Sequence, residues 1–162
     1  MRERREASDD AVMTRIGQAA MLLHGGDREE ARNRFAALWS EIGASGDDLR
    51  RCTLAHYLAD AQDDPGDELA WDLRALAAAD RLGDEGSGGR TGGGSVRQAV
   101  RAFYPSLHLN LAADYLKLQR PEAARLHLDR AREAMATLGE LGCAPGLRTV
   151  AERLERALGT GG

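Results

Sequence analysis

Asn110-Leu111-Ala112-Ala113-Asp114-Tyr115, followed by Pro121-Glu122-Ala123-Ala124, then Leu128 and Ala131, decides the fold. On both sides of the break at Gln119-Arg120 the apolar residues recur every three or four positions, which is the spacing of one helix face. Pro121 suits the first turn of a helix, where its missing N–H has no partner to lose. Small alanines stand where two helices must come close, and Leu111, Tyr115 and Leu128 stand where they must interlock. The stretch predicts two antiparallel helices joined by a short turn.

The same pattern extends outward in both directions. Between Ala11 and His24 the apolar set is Val12, Ile16, Ala19, Ala20, Leu22 and Leu23, which predicts a helix with a broad buried face. Gly25-Gly26 stops it and Asp27 is placed to cap the next helix. That helix carries Ala31, Phe35, Leu38 and Ile42 on one stripe. Asp47 or Asp48 can cap a third helix with Cys52, Leu54, Ala55 and Leu58. Asp63-Asp64-Pro65-Gly66 breaks the chain, and a fourth helix uses Leu69, Leu73 and Leu76 and ends near Leu82-Gly83. Val96, Val100, Phe103, Leu107, Leu111, Tyr115 and Leu118 keep helical register across Pro105, as one kinked helix or as two segments meeting there. Residues 121–139 predict a sixth helix. A last helix, Leu147 to Leu158, is expected to bury Leu147, Val150, Ala151, Leu154 and Leu158 and to cap the stack.

Composition bounds the rest. The chain has 162 residues, 43 % hydrophobic and 30 % charged, enough for one domain with a sizeable core. Aromatics are only 4 %, and no stretch alternates with a period of two, so the expected class is all-α. A net charge of −4 argues against nucleic-acid binding. Cys52 and Cys143 are too far apart in sequence to suggest a disulfide framework or a zinc site. No signal core and no membrane-length apolar run is present, so a cytoplasmic protein with no membrane contact is expected. The charged residues 1–10 and the tail 159–162 are expected to be disordered, and the Gly-rich loop 83–95 flexible, around a single domain over 11–158.

The repeated hairpin resembles the tetratricopeptide repeat (TPR) family. Leu111, Ala112 and Tyr115 match the first-helix signature, and Ala124, Leu128 and Ala131 the second. Ala31, Phe35 and Leu38 follow Gly26-Asp27 as Ala124, Leu128 and Ala131 follow Gln119-Arg120. The resemblance covers most of residues 12–138 and implies about three stacked hairpins plus a C-terminal capping helix. It also implies that the first helix of each hairpin lines a concave surface. The matching positions are Met13, Gly17, Ala20 and His24, then Thr53, His56, Ala59 and Asp60, then Asn110, Ala113, Leu116 and Lys117.

The resulting expectation is a non-enzymatic module that docks a peptide or a partner's helix, with His24, Thr53, His56, Asp60, Asn110 and Lys117 as partner-binding residues. They would meet peptide amides or a terminal carboxylate. No catalytic residue, cofactor or metal is expected. Pairing of two copies through an apolar end of the stack would give a homodimer. Cys52, His56 and Asp60 share one helix face, but about 12 Å of rise separates the outer two, so a buried Cys and a His hydrogen-bonded to Asp60 are expected rather than a metal site. Trp39 and Trp71 are expected to pack between hairpins. The alternative to docking is a small-molecule or catalytic pocket near Tyr104, His108 and His127, beside Pro105.

Overall fold

The computed structural model describes the backbone of residues 2–43, 47–86, 93–139 and 146–159, and the side chains over 11–43, 47–82, 100–139 and 146–159. Among these residues there are seven α-helices and no strand: α1 (Arg2–His24), α2 (Arg28–Ile42), α3 (Asp48–Asp60), α4 (Pro65–Gly86), α5 (Gly93–Lys117), α6 (Pro121–Leu138) and α7 (Leu147–Gly159). Each helix packs on the next in sequence. First helices also touch one another, α1 on α3 and α5 on α7. The fold is a stack of antiparallel helical hairpins, with α7 covering the last one. No helix among the described residues is long and apolar enough to cross a membrane.

The core is divided in the same sequential way. Ile16 and Ala19 of α1, Phe35 and Leu38 of α2, and Leu54 and Leu58 of α3 form one buried cluster. Ala75, Ala78 and Ala79 of α4 join Cys52, Ala55, Val100 and Leu107 in a second. Leu109, Ala112, Leu128, Ala131, Ala151 and Leu154 join α5, α6 and α7 in a third. Full burial of each large aliphatic or aromatic side chain stabilises the fold by roughly 1.5–3 kcal/mol before chain entropy is counted. Phe35 stacks on Tyr57 at 5.4 Å between α2 and α3. Trp39 meets Trp71 edge-on at 5.0 Å, so the two tryptophans do pack between hairpins, with Arg74 over the Trp71 ring at 4.3 Å.

The turns of the first and third hairpins are built alike. Gly26 N donates to Leu23 O at 3.2 Å and Asp27 N to Leu22 O at 2.9 Å; Gln119 N donates to Leu116 O at 3.0 Å and Arg120 N to Tyr115 O at 2.8 Å. Both are the paired 5→2 and 6→1 bonds of a left-handed helix stop. The left-handed residue is Gly26 (φ +95°) in one and Gln119 (φ +59°) in the other. The sequence alignment of Gly26-Asp27 with Gln119-Arg120 is therefore matched bond for bond in the backbone.

Several expectations are corrected. The backbone of residues 2–10 is helical rather than disordered; Arg and Glu there are good helix formers and need no apolar face to extend α1. Helices α4 and α5 advance into the Gly-rich segment as far as Gly86 and Gly93, and the remaining part of that loop, 87–92, lies outside the described residues, as do the tail residues 160–162 and Cys143. The Gly159 end of the tail completes α7. Pro105 sits inside one continuous helix, α5, in a fully buried position, where packing offsets its missing N–H. Asp27 occupies the N-cap position of α2 but its side chain makes no capping bond, whereas Asp47 caps α3 through Arg50 N at 2.8 Å. The inward face of α4 is Asp72, Ala75, Ala78 and Ala79, and Leu73 is exposed, because the alanine stripe lets α4 lie closer to α3 and α5 than a leucine stripe would. Val150 likewise faces out and leaves Ala151 and Leu154 to seal α7.

Candidate functional site

The six expected partner-binding residues lie on α1, α3 and α5. Consecutive turns of α3 carry Thr53, His56 and Asp60. Thr53 turns its hydroxyl back to Leu49 O at 2.9 Å, which leaves it no strong claim on a partner. His56 Nδ1 lies 3.2 Å from Asn110 Nδ2 and joins α3 to α5. With the amide donating, the ring proton is fixed on Nε2, which faces Asp60 Oδ2 at 3.8 Å. The expected His56–Asp60 hydrogen bond is not made: at 3.8 Å the Nε2 of His56 lies beyond hydrogen-bond reach of Asp60. The Asp60 side chain keeps 53 % of its surface exposed. Burial raises its pKa, His56 opposes that rise and Glu68 adds to it. His24 lies exposed at the end of α1, close enough to Asp60 to act on it electrostatically.

Lys117 is already committed. Its ammonium lies 2.9 and 3.2 Å from the two Glu68 carboxylate oxygens on α4. Arg28 is also occupied, by Asp63 and by the carbonyls of Asp60 and Gln62. Both cations are thus held by groups of the chain itself. Ala20 and Ala59, expected to line the concave surface, are instead buried in helix contacts, since alanines on these turns are the close-approach points of the stack. Ala113 and Leu116 stay partly exposed.

Behind Lys117 lies a feature that the sequence reading missed. Asp72 is 2 % exposed and Asp114 1 % exposed, and with Glu68 they bring three carboxylates together. Burial first, then the adjacent Asp72 and Glu68, pushes Asp114 up to about 11, so it stands protonated at neutral pH. Burial likewise raises Asp72 to about 6. Burial opposes ionisation of Glu68 as well, but hydrogen bonds from Asp114 and Lys117 outweigh it and hold Glu68 below the usual carboxylate range. The signal was present in the sequence. Glu68, Asp72, Ala75 and Ala79 follow at helical spacing and place two acids on the alanine face of α4.

No family model, curated protein or solved structure matches this chain. The likeness to the repeat family rests on its residues alone.

The alternative site assembles as a second feature. His108 and His127 meet at 3.1 Å between their Nδ1 atoms. Tyr104, His108, His127 and Tyr115 form a run of stacked rings with centroids 6.1, 5.3 and 5.5 Å apart in turn. Tyr104 donates its hydroxyl to Asp80 at 2.7 Å. Burial, with His127 and Arg130 adding to it, lowers His108 to about 4; burial and Arg130 also lower His127. The pair is neutral at pH 7, and one ring must donate while the other accepts. Beside it is an open cleft of about 340 Å³ lined by Arg101, Tyr104, His108, Arg130 and Thr137. Cys52 takes no part in either site. Burial, with Asp48 beside it, pushes its thiol up to about 12, so it is a packed thiol and not a ligand or nucleophile.

Proposed function

We propose that this chain is a non-enzymatic, cytoplasmic interaction module of tetratricopeptide-repeat type that docks an extended segment or helix of a partner protein along the face formed by α1, α3 and α5. The observation that carries this reading is the His56–Asn110 bridge at 3.2 Å, which makes one polar strip out of successive first helices. Backbone N–H and C=O groups of a docked segment need such a strip of fixed donors and acceptors. Because Lys117 and Arg28 are paired within the chain and Asp60 is open, the segment that fits carries N–H donors or basic side chains. A terminal carboxylate fits less well.

The test is a random-peptide display selection on the purified chain, followed by NMR shift mapping. Selected peptides should be rich in Lys or Arg and shift resonances of His56, Asp60 and Asn110. The double substitution Asn110→Ala and Asp60→Lys should weaken binding by tenfold or more, about 1.4 kcal/mol, with an unchanged circular dichroism spectrum. Binders that map to another surface, or that ignore both substitutions, would refute the assignment.

The Tyr104 cleft favours a second reading. Two arginines and a tyrosine stacked near His108 suit a small planar anion. A melting shift with organic acids or phosphates that is lost in Arg130→Ala would support it over docking.

A further inference from the structure

We propose that Glu68, Asp72 and Asp114 form a binding site for one hard divalent cation between α4 and α5. One carboxylate oxygen from each lies within 4.8 Å of the others. Oxygen ligands sit about 2.0–2.6 Å from magnesium, manganese or calcium, so ligand atoms on one ion are separated by roughly 3–5 Å. A single ion therefore matches the spread of the three oxygens. The ligand set is all oxygen and anionic, which selects these metals over zinc or copper.

A second observation is independent of the clustering. Both oxygens of Asp114 and Oδ1 of Asp72 are buried, and no N–H or hydroxyl donor among the described residues reaches them; their only hydrogen-bond partners are the other carboxyl groups of the trio. A buried acceptor without a donor costs free energy, and the nearest polar groups here are other acceptors. One proton on Asp114 supplies a single hydrogen bond to this set. A divalent ion supplies a partner to one oxygen of each carboxylate at once. Lys117 contributes one positive charge, which acts on all three carboxylates but hydrogen-bonds to Glu68. With all three carboxylates ionised, the cluster and Lys117 carry a net charge of minus two, which a divalent ion neutralises.

The occupant must be small. Asp72 and Asp114 are enclosed, and Glu68, with 19 % of its side chain exposed, is the open edge. A partner's lysine or arginine stem does not fit behind it, whereas an ion shedding its waters does. This inference does not depend on the docking reading.

The experiment uses the full chain, freed of metal with a chelator and titrated with Mn²⁺. Calorimetry should give one Mn²⁺ per chain. The electron paramagnetic resonance signal of free Mn²⁺ should fall correspondingly and return on adding excess Mg²⁺ or Ca²⁺, and Mn²⁺ should raise the Tm. Asp72→Leu and Asp114→Leu should each weaken binding by at least about tenfold, while the exposed control Asp63→Asn leaves it unchanged. Each leucine variant is compared with its own metal-free form, and neither should gain Tm on adding Mn²⁺. If either fails to fold, Glu68→Gln at the open edge provides the same comparison. Binding no tighter in the parent than in these variants, or Mn²⁺ that changes neither Tm nor signal, would overturn the site and leave a cluster joined by shared protons alone.

Discussion

Replacing His108 by asparagine tests how the fold holds its buried imidazoles. His108 is 9 % exposed and titrates at about 4, against an ordinary value of 6.5. The folded chain refuses a proton that the unfolded chain accepts below pH 6.5, so the unfolded state binds more protons there. Stability is complete above pH 6.5 and is lost as the pH falls toward 4. At about 1.4 kcal/mol per pH unit, the loss from His108 reaches roughly 2 kcal/mol by pH 5 and roughly 3 kcal/mol by pH 4. The lowered pKa of His127 acts in the same direction. Asparagine can place an amide atom near the position of Nδ1 and does not titrate. Urea unfolding of both proteins at about pH 7.5 and about pH 5 isolates the imidazole, because every carboxylate is common to the two. The variant should start less stable, through lost ring stacking, and should close the gap on the parent by roughly 2 kcal/mol on acidification. A gap that stays constant with pH would refute the assignment of His108 as a neutral buried group.

Gln119→Gly should stabilise the chain by a few tenths to about 1 kcal/mol in the same assay, because the left-handed φ of +59° strains any residue with a Cβ while glycine's extra unfolded-state freedom returns part of the gain. An equal or lower denaturation midpoint would count against that turn geometry. Phe35→Ala, at a site with no exposure and a stacked Tyr57, should cost about 3–5 kcal/mol; a loss below about 1 kcal/mol would show that the first core cluster is not formed as described.

The all-α hairpin order was legible because alanine, leucine and aromatic residues recur at helical spacing from Val12 to Leu158, and because glycine and proline punctuate the breaks. Ala31, Phe35 and Leu38 face inward as their spacing requires. What spacing alone could not give was rotation about the helix axis. In α4 both a leucine stripe and an alanine stripe run along the helix, and close packing against α3 and α5 selected the alanines. That choice turns Asp72 inward. Asp114 lay within the very stretch that decided the fold, yet its depth follows from how near α4 approaches, which is a tertiary fact. His56, Asp60 and Asn110 do fall close together, but the pairings depend on which neighbour arrives from the next helix: Asn110 takes His56, and Glu68 takes Lys117. His108 and His127 meet because hairpin partners at that level of α5 and α6 face each other directly.

Contacts that run mainly between neighbours along the chain have a mechanical consequence. A helix in the interior of such a stack is held from two sides, and one at either terminus from fewer, so opening starts at the ends and moves inward. The amides of α1 and α7 should exchange with solvent first and those of α3 to α5 last. The acidic trio and the His56–Asn110 bridge both belong to that most slowly exchanging middle, so they would stay assembled while the outer helices come and go.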